Sequence, residues 1–159
     1  MRIIVMGQQA FGKDALETLL DAGTDEVVAV YCEPDKEGKP VDPIKEFALE
    51  KGLPVHQPAN FNDQDTLTTL ASFDADLMIM AFVNVFVPEA ARDTPKMGSI
   101  CFHPSLLPKY RGPSAVNWPI IMGDTTSGYS WFYPSDGLDE GDCLLQWECP
   151  LDPDDTVIN

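Results

Sequence analysis

The sequence predicts an α/β fold built on an open, mostly parallel β-sheet, with an antiparallel hairpin near its C-terminal end. The chain has 159 residues, of which 44% are hydrophobic and 23% charged. This is ordinary composition for one globular domain with a sizeable core. Short apolar runs alternate with helical patterns, and the run over residues 27–31 is apolar throughout. Such continuous runs are typical of parallel strands that are covered on both faces.

The first part of the chain alternates strands and helices in a regular way. Ala15, Leu16 and Leu19 recur at helical spacing, and Gly23 follows as a helix end. Strands are predicted over residues 2–6, 27–31, 54–56 and 76–82, and helices over residues 13–22, 43–51 and 63–72. This alternation predicts right-handed crossovers and a Rossmann-like sheet.

The pattern changes after residue 98. A strand is predicted over residues 98–102, a helix over 113–122, and two strands over 127–133 and 143–149. Because only residues 136–142 separate the last two strands, we expect them to pair as an antiparallel hairpin with a long acidic loop. Acidic residues then precede Val157 and Ile158, as at the start of a helix. We therefore expect residues 1–159 to form a single domain that is truncated at its C-terminal end.

Charge and composition exclude several classes of protein. The net charge is −16, which repels nucleic acid and offers few cations for phosphates. No stretch approaches the roughly 20 apolar residues of a membrane span, and the N-terminal apolar run is too short for a signal peptide. We therefore expect a cytoplasmic protein without a membrane partner.

The cysteines do not suggest a metal site. The four cysteines form no CxxC pair, and only two histidines could assist them. We expect no metal, and free buried thiols in a reducing compartment.

A glycine-rich segment after the first strand resembles a phosphate loop. Residues 7–14, GQQAFGKD, nearly fit GxxxxGK[ST], but Asp14 stands where a hydroxyl must hold magnesium. The pattern GxGxxG fails because Gln9 replaces its second glycine. We expect Gly7 and Gly12 to permit a tight turn and close packing of the helix. Nucleotide binding by this segment is the alternative hypothesis.

Two loops carry the residues best suited to chemistry. His103 follows a predicted strand, in the segment HPSLLP, whose prolines stiffen the loop. Strand ends of this kind are where open α/β sheets bind ligands. Residues 136–142, DGLDEGD, connect the predicted hairpin strands and fail the calcium-loop pattern. We expect one of their carboxylates to pair with His103, so that the two side chains can move protons.

Together these motifs resemble the 10-formyltetrahydrofolate-dependent formyltransferase family. HPSLLP at residues 103–108 is followed by Asp139 within Gly-Leu-Asp-x-Gly-Asp, and the resemblance runs along the whole chain. The segments over residues 34–39 and 113–118 most resemble the hydrolase domain of the family's formyltetrahydrofolate dehydrogenase branch. The resemblance implies the formyltransferase fold and a cytoplasmic enzyme of one-carbon metabolism. It also implies 10-formyltetrahydrofolate as substrate and tetrahydrofolate as product.

The resemblance also implies roles for particular residues. His103 corresponds to the general acid/base, and Asp139 to the aspartate that positions water and supports the charge of the histidine. Cys101 stands where most members have an asparagine that holds the formyl oxygen, and a thiol donates hydrogen bonds poorly. The residues implied to contact folate are Val85, Phe86, Val87, Ser105, Leu106, Leu107 and Pro108.

The shared motifs do not name the formyl acceptor. Water, a carrier thiol, an amine on a sugar nucleotide and methionyl-tRNA are all candidates, as is a folate-binding fragment without turnover. The segment over residues 33–42 has two lysines against four carboxylates. This negative charge makes tRNA an unfavourable partner for this chain alone. The motifs do not indicate the oligomeric state.

Overall fold

A computed structural model describes residues 1–157 of the chain. The chain forms two compact units, the first spanning Met1–Ile100 and the second beginning at Cys101. The first unit contains eight elements in chain order: β1 (Arg2–Gly7), α1 (Gln9–Ala22), β2 (Glu26–Tyr31), α2 (Pro43–Glu50), β3 (Val55–His56), α3 (Gln64–Ser72), β4 (Leu77–Ala81) and α4 (Glu89–Arg92).

Strands β1 to β4 are parallel and lie in the order β3-β2-β1-β4. Ile3 of β1 aligns with Val27 on one side and Leu77 on the other. The predicted parallel α/β arrangement is therefore confirmed, and β1 lies between β2 and β4.

The core of the first unit consists of apolar side chains from the strands and from helices α1 and α2. Ile3, Val5 and Val30 are buried, and they belong to one cluster with Leu16 of α1 and Ile44 of α2. Burial of a side chain of this size stabilises the fold by about 1.5–3 kcal/mol. The apolar, β-branched runs of the sequence therefore form buried strands, because α1 and α2 pack against them.

Gly7 and Gly12 serve close packing. A Cβ on Gly7 would lie 2.4 Å from the Ala81 carbonyl oxygen and 3.2 Å from the Gly12 Cα. Helix α1 begins at Gln9, immediately after the strand, so no extended phosphate loop exists between them. Lys13 lies within this helix, and its Nζ is 3.1 Å from the Glu17 carboxylate. The packing interpretation of the two glycines is confirmed.

The second unit is antiparallel. Strand β5 (Ser99–His103) leads the chain into it, followed by α5 (Asn117–Met122), β6 (Thr126–Phe132) and β7 (Cys143–Pro150). These strands lie in the order β5-β6-β7, with β6 antiparallel to both neighbours. The predicted hairpin is therefore confirmed.

Some element boundaries differ from prediction. Helix α1 starts four residues before the predicted residue 13, and the short helix α4 was not predicted. The helix predicted over residues 113–122 begins only at Asn117, because Ser114 has a φ of 63° and a right-handed helix cannot pass through it. Residues 151–157 form turns rather than the start of a helix, and residues 158 and 159 lie outside the described part.

Candidate active site

His103 is the last residue of β5, and both of its ring nitrogens face hydrogen-bond acceptors. Its Nε2 lies 2.8 Å from the Tyr110 carbonyl oxygen, and its Nδ1 lies 3.4 Å from Oδ2 of Asp139. Because a carbonyl can only accept, the hydrogen-bond pattern assigns a proton to Nε2. The structure thus brings together the histidine and the aspartate that the sequence singled out. Their side chains are 7% and 21% exposed.

Asp139 is held in the loop between β6 and β7 by its backbone and by its carboxylate. Its φ is 43°, a left-handed conformation that is uncommon for a residue other than glycine. Its Oδ2 accepts a 2.6 Å hydrogen bond from the backbone N–H of Gly112. The carboxylate therefore contacts both the His103 ring and the loop that follows it.

The rest of this loop is closed by backbone contacts. The Tyr133 N–H donates to the Asp142 carbonyl at 3.0 Å, and the Ser135 N–H donates to the Glu140 carbonyl at 2.9 Å. Gly141 has a φ of 130°, and a Cβ there would lie 1.8 Å from the Tyr133 carbonyl oxygen. Only glycine fits at this position, which explains the glycine beside the acidic residues.

Cys101 lies on β5, two residues before His103, and is partly buried. Burial, reinforced by the charge of Asp139, raises the pKa of its thiol to about 12. At neutral pH the side chain is therefore a neutral thiol and not a thiolate nucleophile. Its Sγ approaches the Phe102 carbonyl oxygen at 3.7 Å, which is a weak contact.

The four cysteines are free, but they do not share one environment. Cys32 is buried, whereas Cys143 is exposed. The expectation of buried thiols is therefore wrong for Cys143, because it begins β7, whose residues 143–148 are all exposed.

The segment after His103 contains four of the residues predicted to contact folate. Ser105 and Leu107 are buried, while Leu106 is half-buried and Pro108 is exposed. The Ser105 hydroxyl donates to the Lys109 carbonyl at 2.6 Å, which closes the segment on itself. Leu106 and Pro108 therefore carry the side-chain surface that a ligand could reach.

The other three predicted folate contacts lie in the first unit. Val85, Phe86 and Val87 follow β4 in a loop rather than forming its end, since β4 stops at Ala81. Val85 and Phe86 are exposed and line a cavity of about 330 Å³, whereas the Val87 side chain is buried. Gln8 also lines this cavity, and its Nε2 is buried without a hydrogen-bond partner.

Within residues 1–157, no group of three or more His, Cys, Asp or Glu side chains is arranged to hold a metal ion. In the same part of the chain, no helix is both long enough and apolar enough to cross a membrane.

Comparison with known proteins identifies the class. Residues 1–159 match the formyl transferase family, and the chain belongs to that family. It is 42% identical over 162 residues to the human cytosolic 10-formyltetrahydrofolate dehydrogenase, covering 99% of this chain and 18% of that protein. It is 38% identical to the methionyl-tRNA formyltransferase of Marinobacter nauticus, covering 98% of this chain and 51% of that enzyme. The chain therefore spans about a fifth to a half of the length of these relatives.

Solved structures agree on the fold. Phosphoribosylglycinamide formyltransferase from Bacillus halodurans superimposes with a TM-score of 0.84 at 19% identity, covering 99% of this chain and 84% of that one. The enzyme from Anaplasma phagocytophilum gives 0.84 at 23% identity, covering 99% and 76%. At such identities the likeness establishes the fold alone. The predicted family and the predicted fold class are confirmed.

Proposed function

We propose that this chain transfers or hydrolyses the formyl group of 10-formyltetrahydrofolate, with His103 and Asp139 as its acid–base pair. The observation that carries the proposal is the 3.4 Å approach of His103 Nδ1 to the Asp139 carboxylate. General acid–base catalysis needs such a group within hydrogen-bond reach of the proton that moves. Because Nε2 is bonded to the Tyr110 carbonyl, Nδ1 is the nitrogen left to exchange protons.

With water as acceptor, the reaction balances through this pair. The water oxygen bonds to the formyl carbon while its proton passes to His103 Nδ1, and the Asp139 carboxylate stabilises the resulting imidazolium. The bond from the formyl carbon to N10 then breaks, and N10 takes the proton back from His103. The products are tetrahydrofolate and formic acid, which ionises to formate and a proton in solution, and both residues return to their starting state.

The acceptor is proposed from three features of the chain. Cys101 lacks the amide that donates to the formyl oxygen in most transferases. The hydrolase domain of the dehydrogenase branch also lacks this amide, which favours that branch. Identity to the human cytosolic 10-formyltetrahydrofolate dehydrogenase, at 42%, points the same way. The net charge of −16 opposes binding of tRNA. Water or a carrier thiol is therefore the preferred acceptor.

A transferase acting on an amine, of the methionyl-tRNA or sugar-nucleotide type, is the second candidate. It is favoured by the 38% identity to a methionyl-tRNA formyltransferase. A folate-binding module without turnover is the third, because Cys101 is a weak donor for the developing oxyanion.

Folate contacts are proposed separately for each unit. In the first unit, the backbone of Val85, Phe86 and Val87 would pair with the pteridine, which is supported by the cavity that Val85 and Phe86 line. In the second unit, Leu106 and Pro108 would offer contact surface, while Ser105 and Leu107 would shape their segment. A cytoplasmic location is proposed from the cysteine usage and is supported by the cytosolic relatives.

The decisive experiment measures release of tetrahydrofolate from 10-formyltetrahydrofolate by absorbance, with water alone and with added thiol or amine acceptors. We expect His103→Asn and Asp139→Asn each to lower turnover by about 10²- to 10⁴-fold, the range that acid–base groups contribute. His56→Asn is the matched control, because the other histidine of the chain stacks on Tyr31 in the first unit. Folded protein without turnover under every condition would leave only the folate-binding module.

The backbone contact has its own test. Phe86→Pro removes the N–H at this position, whereas Phe86→Ala keeps it. If the backbone pairs with the pteridine, calorimetric titration with a tetrahydrofolate analogue should show weaker binding for the proline variant than for the alanine variant. Equal affinity of the two variants would exclude this N–H as a folate contact.

A further inference from the structure

Three polar residues lie side by side on the three strands of the second unit, one on each strand. His103 of β5 is opposite Ser130 of β6, and Ser130 is opposite Gln146 of β7. Residues directly opposite each other in antiparallel strands project from the same face, with Cβ atoms about 4.5–5.5 Å apart. The candidate catalytic histidine therefore begins a row that runs across the sheet to its edge strand.

Ser130 is the centre of this row, and its hydroxyl is fully engaged. The side chain is completely buried. Its Oγ donates to the Ser105 carbonyl at 2.7 Å and accepts from the Leu107 N–H at 3.1 Å. It also accepts from the Gln146 Nε2 at 2.9 Å. A hydroxyl has one proton and two lone pairs, so these three contacts use its whole capacity.

Gln146 completes the arrangement from the edge strand. Its Nε2 donates to the Leu107 carbonyl at 2.8 Å as well as to Ser130. Both amide protons are therefore used. Between them, the two side chains bind the carbonyl of Ser105 and both the N–H and the carbonyl of Leu107.

The backbone that they hold leads directly to the partner of His103. Residues 104–110 leave the end of β5 and return so that the Tyr110 carbonyl accepts the Nε2 proton. Gly128 on β6 admits Leu106 of this segment, since a Cβ there would lie 2.7 Å from the Leu106 Cδ2. The segment is therefore fixed at its middle by β6 and β7 and at its end by the histidine ring.

We propose that Ser130 and Gln146 are positioning residues for His103. By holding the backbone of Ser105 and Leu107, they place the Tyr110 carbonyl against Nε2 and so keep Nδ1 directed at Asp139. The effect of Ser130 and Gln146 on turnover rests on the proposed function, whereas their effect on the orientation of the His103 ring does not. A misplacement of about 1 Å in a reacting group can lower a rate by about 10²-fold, so a modest shift of this segment would be measurable.

The test uses the whole chain and the variant Gln146→Leu, which keeps the size of the side chain but removes both donors. Glu148→Leu is the matched control, since Glu148 is two residues further along β7 and opposite Gly128, not Ser130. Ser130→Ala is a second variant that removes the centre of the row. Because Gln146 is on the edge strand, Gln146→Leu decides the outcome if Ser130→Ala does not fold.

Two measurements separate positioning from general stability. The chain has only two histidines, so ¹⁵N-histidine NMR resolves His103 and reports which nitrogen carries the proton. We expect Gln146→Leu to change the His103 nitrogen shifts and to lower kcat by about 10- to 100-fold, while Glu148→Leu changes neither. Wild-type His103 shifts in folded Gln146→Leu would overturn the proposal, as would an unchanged kcat in an active enzyme.

Failure of the proposed function can be distinguished from failure of the positioning role. If the wild-type protein consumes no 10-formyltetrahydrofolate, the spectra alone decide. A His103 ring that changes in Gln146→Leu but not in Glu148→Leu would then uphold the positioning role and reject only the reaction.

Discussion

The two units of this chain are stabilised in different ways. The first buries a cluster of apolar side chains from β1 and β2 against α1 and α2. In the described part of the second unit, the hydrophobic side chains that are buried are Leu107, Ala115 and Phe132, a proline aside. Its other buried side chains are polar, namely His103, Ser105 and Ser130.

This difference indicates that the first unit mainly provides stability and the second mainly fixes the geometry of the candidate site. Apolar burial depends on area and tolerates small shifts, so it suits a unit whose contribution is stability. Hydrogen bonds depend on distance and angle, so a unit built around them specifies geometry. We therefore expect substitutions in the apolar core of the first unit to change mainly the free energy of unfolding. Those in the second should change mainly the placement of His103 and Asp139.

The largest effect should come from opening a cavity in the first unit. Leu16 is fully buried in α1, and Leu16→Ala should lower the free energy of unfolding by about 2–5 kcal/mol. Leu144→Ala on β7 is the control, because Leu144 is 54% exposed. Urea denaturation checks both variants. Similar losses for the two would contradict the contrast between the units.

A smaller effect on stability, with a larger effect on the site, is expected from Gly141→Ala. Its Cβ would collide with the Tyr133 carbonyl oxygen, and its positive φ disfavours alanine. We expect a loss of about 1–3 kcal/mol and reduced turnover, since Asp139 lies in the same loop. Gly38→Ala, with a φ of 74° and open space around its Cβ, shares the backbone strain without the collision. The comparison fails if the two variants lose stability and activity equally.

The smallest perturbation is chemical labelling of thiols, which leaves the fold intact. The pKa of Cys101 is raised to about 12 and that of Cys32 to about 11, mainly by burial. Because the raised pKa favours the neutral thiol, thiolate accumulates only as the pH approaches these values. Iodoacetamide at pH 8 should therefore modify the exposed Cys143 well before either of them, as peptide mass spectrometry can check. Rapid modification of Cys101 would show that it is a reactive thiol after all.

The sequence predicted β1, β2 and β4 well because their apolar runs are long and uninterrupted. It also predicted the hairpin of β6 and β7, since both strands flank a loop rich in glycine and aspartate. Boundaries were less predictable where backbone conformation decides them. The start of α5 depends on the positive φ of Ser114, and the conformational preferences of serine do not predict a positive φ.

Ser130 and Gln146 could not be predicted from the sequence, because their role also depends on backbone arrangement. Neither residue type is distinctive, and neither belongs to a motif. They meet the segment after His103 only because the strand register places Ser130 between His103 and Gln146. Tyr110 was missed because its contribution is a backbone carbonyl, which every residue possesses.

The sequence by itself determined the family, the strand–helix order and the choice of His103 and Asp139, because these follow from residue types at fixed spacings. The tertiary structure decided which nitrogen of His103 faces Asp139, and that Cys101 is a neutral thiol. It also decided how the backbone of residues 104–110 is held. Each of these depends on contacts within about 4 Å between residues distant in sequence, and a linear pattern does not encode such contacts.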